Sequence, residues 1–444
     1  MTATASRRCA YAVVRRVFEQ GAYADRAFRA EAQRATLDAR DRAFAMRLAY
    51  GVVQRKATLD WVLESLARRP LDRLDPPVLA ALRLGLYELL FMEGTPDRAA
   101  VAESVELVKA TTQPAHAFVN AVLRRAAREA PALVASLDDS TPAGAALAHS
   151  HPEWVAESWF AELGPGEARA LMRRDNEPAE SAVRANRLRA DAAAVVAALA
   201  AEGVPAHADA LVPEAVVLAA PYDVHGSRLF AEGLVMPQSR GSMLVSRAVD
   251  PRPGERVLDL CAAPGAKTTH LAALMRCEGE VVAVEAEAAR AEAIRENAAR
   301  LGAGCVRVAV GDAAEPAFGA TYDRVLVDPP CSDLGTLQSR PDARWRKTAE
   351  QVQEMRALQR RILDAAASAV RPGGRLVYST CTIGAAENAR QLQDFLAANP
   401  NFRICDLSTW QPKLAHATVP GFLQTLPHRD GTDGFFIAAL ERRE

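Results

Sequence analysis

The chain is 444 residues long, too many for one ordinary core and suited to two or three domains. Half of the residues are apolar and a quarter charged, the balance of a soluble globular protein, while a formal net charge of −1 decides nothing about nucleic acid. No uncharged apolar run reaches the roughly 18 residues of a membrane span, so no membrane partner is expected.

Residues 1–137 read as a helical domain. Val78, Leu82, Leu86, Leu89 and Leu90 form one apolar stripe at helical spacing; Val101, Val105 and Val108 form another. Pro70, Pro76, Pro77, Pro96 and Pro114 punctuate the helices, and Pro131 is expected to follow the last. Residues 1–130 carry 21 Lys and Arg against 15 Asp and Glu, a skew that suits phosphate contacts and equally an Arg-rich solvated helix face. Residues 138–235 begin with a linker-like stretch, Asp138–Gly144. A helix opened by Trp154, Trp159 and Phe160 follows, then a strand within Ser181–Arg189, a helix over Ala190–Glu202 and an apolar segment at Ala215–Ala220. A small α/β subdomain fits, and its chemistry is not legible.

Residues 236–444 have a different rhythm. β-rich runs at Arg256–Leu260, Glu280–Glu285, Val306–Gly311, Asp323–Val327 and Arg375–Ser379 alternate with helices at Ala266–Leu274, Glu287–Leu301 and Glu350–Val370. This predicts parallel strands with crossover helices. Thr348 and Gln351 have capping-box spacing, and Phe402–Asp406 with Gly434–Leu440 suggests a closing strand pair. The expected fold class is multidomain: an all-α N-terminal domain, a small α/β middle subdomain and a C-terminal Rossmann-like α/β domain.

Chemistry gathers at the strand ends. The run Cys261, Ala262, Ala263, Pro264, Gly265, Ala266, Lys267 leaves a strand and opens a helix; small residues admit a ligand to the backbone, and the helix N-terminus supplies N–H donors. Glu285, 20 residues after Gly265, ends the next strand, where a carboxylate can bind ribose hydroxyls. Each feature alone also suits an ordinary turn or a surface carboxylate; together they favour an adenosine-bearing ligand. Asp312, after the third strand, can pair with an adenine amino group or simply cap a helix. Asp328-Pro-Pro-Cys331 ends the fourth strand and Tyr378-Ser-Thr-Cys381-Thr382 the fifth.

One cysteine at a strand end is usually packing; two at neighbouring ends suggest thiol chemistry. Carbon 5 of cytosine is a poor nucleophile. Addition of a thiolate to carbon 6 gives an enamine-like adduct whose carbon 5 can take a methyl group; a base then removes the carbon-5 proton and the thiol is eliminated. The residues alone leave either Cys331 or Cys381 as the nucleophile. The seven cysteines are odd in number and include no C-x-x-C pair, and no signal peptide is evident, which points to reduced thiols in the cytoplasm. The eight histidines are scattered, with His149 and His151 lacking cysteine partners, so no metal site is expected.

Asp328-Pro-Pro-Cys331-Ser, Ser379-Thr-Cys381-Thr and Cys261-Ala-Ala-Pro-Gly-Ala-Lys267 resemble the signature of the RNA cytosine-5 methyltransferases of the NOL/NOP/Sun family. The resemblance implies a class I methyltransferase fold with S-adenosylmethionine as methyl donor. It assigns the nucleophile to Cys381 and assistance of product release to Cys331. It puts Cys261–Lys267, Glu285, Asp312 and Asp328 in the donor pocket, with Asp328 also facing the target cytosine. Ala266 and Glu285 depart from the family's usual Gly and Asp. Arg7–Arg128 is similar to NusB-type RNA-binding domains, notably at Asp41-Arg-Ala-Phe44, Tyr50-Gly-Val-Val53, Leu82-Arg-Leu-Gly85 and Phe118–Arg125. That pairing of domains is found in bacterial small-subunit ribosomal RNA cytosine-5 methyltransferases, and Pro341–Lys347 and Asp433-Gly-Phe-Phe436 also fit them.

The implied partner is ribosomal RNA, free or within a partly assembled small subunit, bound by a monomer. Arg340, Arg344, Arg346 and Lys347 are candidate phosphate contacts, and Trp345 is either a base-stacking platform or a core residue. The same chemistry on transfer RNA or another RNA is one alternative. A non-catalytic RNA-binding assembly factor is another, against which intact Cys381, Cys331, Asp328 and Lys267 speak.

Overall fold

The structure, a computed structural model, describes residues 3–109, 115–315 and 321–444; Pro114, one of the expected breakpoints, lies outside them. The chain divides into two compact units: Met1–Pro178 with Leu337–Arg346, and Ala179–Thr336 with Lys347–Glu444.

The first unit is helical. Ala5–Gln20, Ala24–Ala35, Ala39–Gln54, Lys56–Ala67, Pro76–Phe91, Asp97–Lys109 and His116–Ala135 are followed by Pro142–His149, Glu153–Leu163 and Pro165–Arg174. Asp38 starts the third helix by accepting from the Asp41 N–H at 2.8 Å, a cap worth about 1 kcal/mol. Pro76 and Pro77 occupy a first turn, where a missing N–H goes unused. In Pro76–Phe91 the expected stripe is wider than predicted: Ala80, Ala81 and Leu84 are buried with Val78, Leu82 and Leu86, so this helix is buried almost all round. Pro131 departs from expectation. It lies inside His116–Ala135, near its end, where its fixed φ suits a helix and the lost N–H removes a single bond. The expected linker is also shorter, because the Thr141 hydroxyl accepts from the Gly144 N–H at 3.1 Å and starts Pro142–His149.

The second unit begins with a four-stranded sheet of β1 (Ala182–Ala185), β2 (Ala206–Ala208), β3 (Ala215–Leu218) and β4 (Val235–Pro237), antiparallel in the order β2-β3-β1-β4. Helix Ala192–Ala201, capped by Asp191, packs on it. The larger sheet comprises β5 (Arg256–Leu260), β6 (Glu280–Glu285), β7 (Val306–Val310), β8 (Tyr322–Val327), β9 (Val370–Thr380), β10 (Phe402–Cys405), β11 (Leu423–Gln424) and β12 (Phe436–Arg442). Its order is β10-β12-β9-β8-β5-β6-β7, with β11 beside β12; β5 to β9 are parallel and β12 runs antiparallel to β9.

Alternation along the strands splits the core in two. Val257, Leu326 and Val377 join one cluster with helices Arg240–Val249 and Ala266–Leu274, and Leu258, Val325, Leu376 and Tyr378 join the other with Ala349–Ala369 and Ala389–Ala398. Thr348 and Gln351 form the expected capping box of Ala349–Ala369. The connections reverse direction at β5, which pairs with β6 on one side and β8 on the other. Ligands of open α/β sheets bind at the carboxyl ends of strands flanking such a switch point. Among the described residues no helix is long and apolar enough to cross a membrane.

Candidate active site

The loop after β5 lies at that switch point. Cys261 turns the chain with φ 63°, and Gly265, φ 91°, starts helix Ala266–Leu274. A side chain at Gly265 would be strained by that φ and would meet Ile294 at 3.2 Å. The first turn of this helix offers N–H groups without intrahelical partners. Asp259, Cys261–Ala263, Pro264, Ala266, Lys267 and Asp328 line one small cavity. Asp259 is buried; one carboxylate oxygen accepts from Thr268 at 2.6 Å, while the other has no hydrogen-bond partner. Burial, with Asp328 nearby, pushes its carboxyl up to about 7. The Cys261 thiol is driven further, up to about 12, by burial and by Asp328, Glu285 and Asp259, so it stays protonated.

Glu285, at the end of β6, is 4% exposed; its carboxylate accepts from the Ala263 and Glu287 N–H groups at 3.4 and 3.2 Å. A free helix end, a buried carboxylate on the next strand and an orphaned acidic oxygen in the same cleft fit a polar adenosine-bearing ligand. Asp312 is exposed past β7 and accepts from the Ala314 N–H at 2.9 Å, within a turn that begins where the Gly311 N–H donates to the Glu285 carbonyl.

The ends of β8 and β9 carry the reactive groups. Asp328 accepts from Lys267 Nζ at 2.6 Å and from the Ser379 hydroxyl at 2.9 Å. Burial opposes the charge on Lys267, but Asp328 and Cys381 outweigh it and raise its pKa, so the ammonium persists. The sulfurs of Cys331 and Cys381 are 3.3 Å apart, and the Cys381 thiol donates to Asp333 Oδ1 at 3.0 Å. The bond with Cys381 lowers the Cys331 thiol, yet burial, Asp333 and Glu387 together leave it raised.

Both cysteine loops are clamped to each other. Ser332 and Thr382 share a hydrogen bond at 2.7 Å, and the Ser332 N–H and hydroxyl donate to the buried Glu387, which Gln359 also contacts. The Gly335 N–H donates to the Cys381 carbonyl at 2.9 Å, and a Cβ at Gly335 would lie 2.0 Å from the Gly434 carbonyl, so only glycine fits there. Sequence reading missed Asp333, Ser332, Glu387 and Ser379. Their roles arise from contacts between loops about 50 residues apart. Ser332 and Ser379 stand inside the quoted motifs, and Asp333 lies two residues past Cys331 in a backbone conformation, φ 61°, that Asp tolerates better than most residues; Glu387 left no trace.

The family described as "16S rRNA methyltransferase RsmB/F" matches residues 246–441, the NusB family residues 4–128, and a ferredoxin-like domain of RsmF/B-type methyltransferases residues 151–225. Proteins named "Ribosomal RNA small subunit methyltransferase B" from Sodalis glossinidius and Pseudomonas putida are each 34% identical. The first match spans 91% of both chains and the second 92% of both. The chain belongs to the RsmB/F family of 16S rRNA methyltransferases. Among solved structures, that of PH0851 matches 100% of both chains at 28% identity with a TM-score of 0.86. A methyltransferase homologue from Pyrococcus horikoshii matches 67% of this chain and 97% of its own at 27% identity and a TM-score of 0.60.

This RsmB/F-type methyltransferase therefore has a NusB-type N-terminal domain, a ferredoxin-like subdomain and a C-terminal methyltransferase fold. Its structure corrects part of the expected RNA surface, since Leu337–Arg346 belongs to the helical unit. Arg344 is fully buried, its guanidinium donating to the carbonyls of Gln54, Ser150 and Asp175 and to the Asn176 side chain, and burial pulls it down to about 10. Trp345, half-buried, donates to the Val53 carbonyl at 2.7 Å, lies beneath Lys56 and packs against the helical core. Arg346 is committed to Asp342 and to the Gly21 and Ala22 carbonyls. Arg340 remains exposed and Lys347 half-buried, and these two stay candidates for phosphate. Arg344→Ala strands several buried carbonyls, so urea unfolding should show the helical unit destabilised by about 3–5 kcal/mol. An unchanged unfolding curve would refute that structural role.

Proposed function

We propose that the chain transfers a methyl group from S-adenosylmethionine to carbon 5 of a cytosine in small-subunit ribosomal RNA, through a transient bond between Cys381 and carbon 6 of the base. The observation that carries this reading is the thiol pair 3.3 Å apart at adjacent strand ends, beside the Lys267–Asp328 ion pair. S-adenosylmethionine, when bound, supplies an electrophilic methyl group. The backbone of Cys261–Lys267 would hold its polar end, Glu285 its ribose and Asp312 its adenine; Ala266 and Glu285 keep the loop and the carboxylate that this requires.

Asp333 accepts a hydrogen bond from the Cys381 thiol and is in place to take its proton. Lys267, kept charged, provides the nearby cation that favours a sulfur anion. The thiolate adds to carbon 6, and electrons pushed onto carbon 5 form its new bond to the methyl group as the methyl's bond to the donor sulfur breaks and that sulfur keeps the electron pair. A base takes the carbon-5 proton, the carbon–sulfur bond breaks, and the ring double bond returns. Cys331, beside the departing sulfur, assists this release. Asp328, fixed by Lys267 and Ser379, faces the cytosine. The base must leave its stack to reach these groups. The enzyme acts as a cytoplasmic monomer in this reading, and its seven free thiols suit a reducing compartment.

RNA carrying tritium on cytosine carbon 5 tests the reaction. Each methyl transferred should release one tritium to water, and mapping should put 5-methylcytosine in small-subunit ribosomal RNA. Methylation without tritium release would overturn the carbon-5 chemistry.

A further inference from the structure

The two thiols and Asp333, each given a part in methyl transfer, also bring together three metal-ligating atoms. Their donor atoms all lie within 4.8 Å of one another, separated by 3.3 Å (Cys331 to Cys381), 3.0 Å (Cys381 to Asp333) and 3.9 Å (Cys331 to Asp333). We propose that this triad binds a thiophilic divalent cation of the Zn²⁺ class, with both cysteines as thiolate ligands and Asp333 as the third. Tetrahedral Zn²⁺ has bonds near 2.3 Å to sulfur and about 2.0–2.2 Å to oxygen, so its ligand atoms stand roughly 3.5–3.8 Å apart. Seating the ion changes the edges of the triad by roughly 0.2–0.7 Å.

The ligands are ordered before an ion arrives. Ser332, Thr382 and Glu387 fix one loop against the other, and the Gly335 bond to the Cys381 carbonyl closes the same clamp. Two sulfurs select Zn²⁺ over Mg²⁺ or Ca²⁺, which take oxygen ligands. On binding, each thiol gives its proton to solvent, so one ion taken up releases two protons. Two thiolates and a carboxylate then leave the complex one negative charge beside the Lys267 ammonium. The ion takes one lone pair of the Cys381 thiolate and draws charge from the sulfur, so bound metal weakens it as a nucleophile. The binding itself stands whether or not Cys381 is the nucleophile. No sequence spacing announces the site, because its ligands come from two loops about 50 residues apart.

Co²⁺ titrated into the metal-free, phosphine-reduced full-length protein is the test. One equivalent should give intense visible bands of four-coordinate cobalt and a thiolate-to-cobalt charge-transfer band, both erased by one equivalent of Zn²⁺. The charge-transfer band should weaken in Cys331→Ser and in Cys381→Ser and vanish in the double variant, and Asp333→Asn, which removes a direct ligand, should weaken binding by at least the roughly 10- to 100-fold that losing an outer-shell partner costs. Cys277→Ser, which alters the separate Cys277–Cys305 pair, should leave the bands intact. Circular dichroism verifies that each variant is folded. Only weak six-coordinate bands in the wild type, or charge transfer that survives the Cys331→Ser, Cys381→Ser double variant, would overturn the proposal.

Discussion

Cys381→Ala is expected to lower methyl transfer by at least about 10⁴-fold while leaving RNA affinity nearly unchanged. Without the sulfur, carbon 5 must attack the methyl donor from an intact aromatic ring, and the remaining groups can orient the base but cannot raise its electron density. The loss should be chemical rather than structural. Cys381 is half-buried, its carbonyl holds the Gly335 N–H, and neighbouring Thr380 and Thr382 are tied to Asn388 and Ser332. None of these contacts uses the sulfur. Asp333, which loses its thiol donor, is only half-buried, so water can replace it. Single-turnover transfer of labelled methyl, alongside filter binding of the same RNA, separates the two effects. Full turnover by the variant would remove the nucleophile from position 381.

What could be read from the chain follows the range of the interactions. β5, β6 and helix Ala266–Leu274 fall on the expected residues, because short β-branched runs bounded by Gly, Pro or charge define buried parallel strands locally. Strand ends also made Asp328, Cys331 and Cys381 conspicuous, since such residues in sequence with prolines or threonines have little packing rationale. The clamp of Ser332, Thr382 and Glu387 was invisible, being built from ordinary residues whose meaning depends on register between β8 and β9. Arg344 failed for a related reason. A cluster of basic residues reads as solvated unless the carbonyls waiting for it are known, and those come from Gln54, Ser150 and Asp175, far away in sequence. Pro131 shows the opposite limit, where a strong local rule gave way to a helix with one turn left to run.

Cys331→Ala should leave the bond-forming half of the reaction intact and slow the release. Its sulfur lies 3.3 Å from Cys381, close enough to act on an adduct held there, and its raised thiol starts the reaction protonated, unsuited to lead the attack. With Cys381 still present, addition and methylation proceed, and the methylated base then stays attached while proton removal and elimination wait on slower routes. A denaturing gel should show a slow-migrating protein–RNA species that requires S-adenosylmethionine and carries its labelled methyl group. Cys381→Ala and the double variant should show none, because both lack the sulfur that bonds to carbon 6. The pattern discriminates between the two cysteines in one experiment: an adduct that accumulates in Cys381→Ala and is missing from Cys331→Ala would exchange their roles. Wild-type turnover by Cys331→Ala without any trapped species would show that release runs through another group, with Asp333 the nearest alternative base.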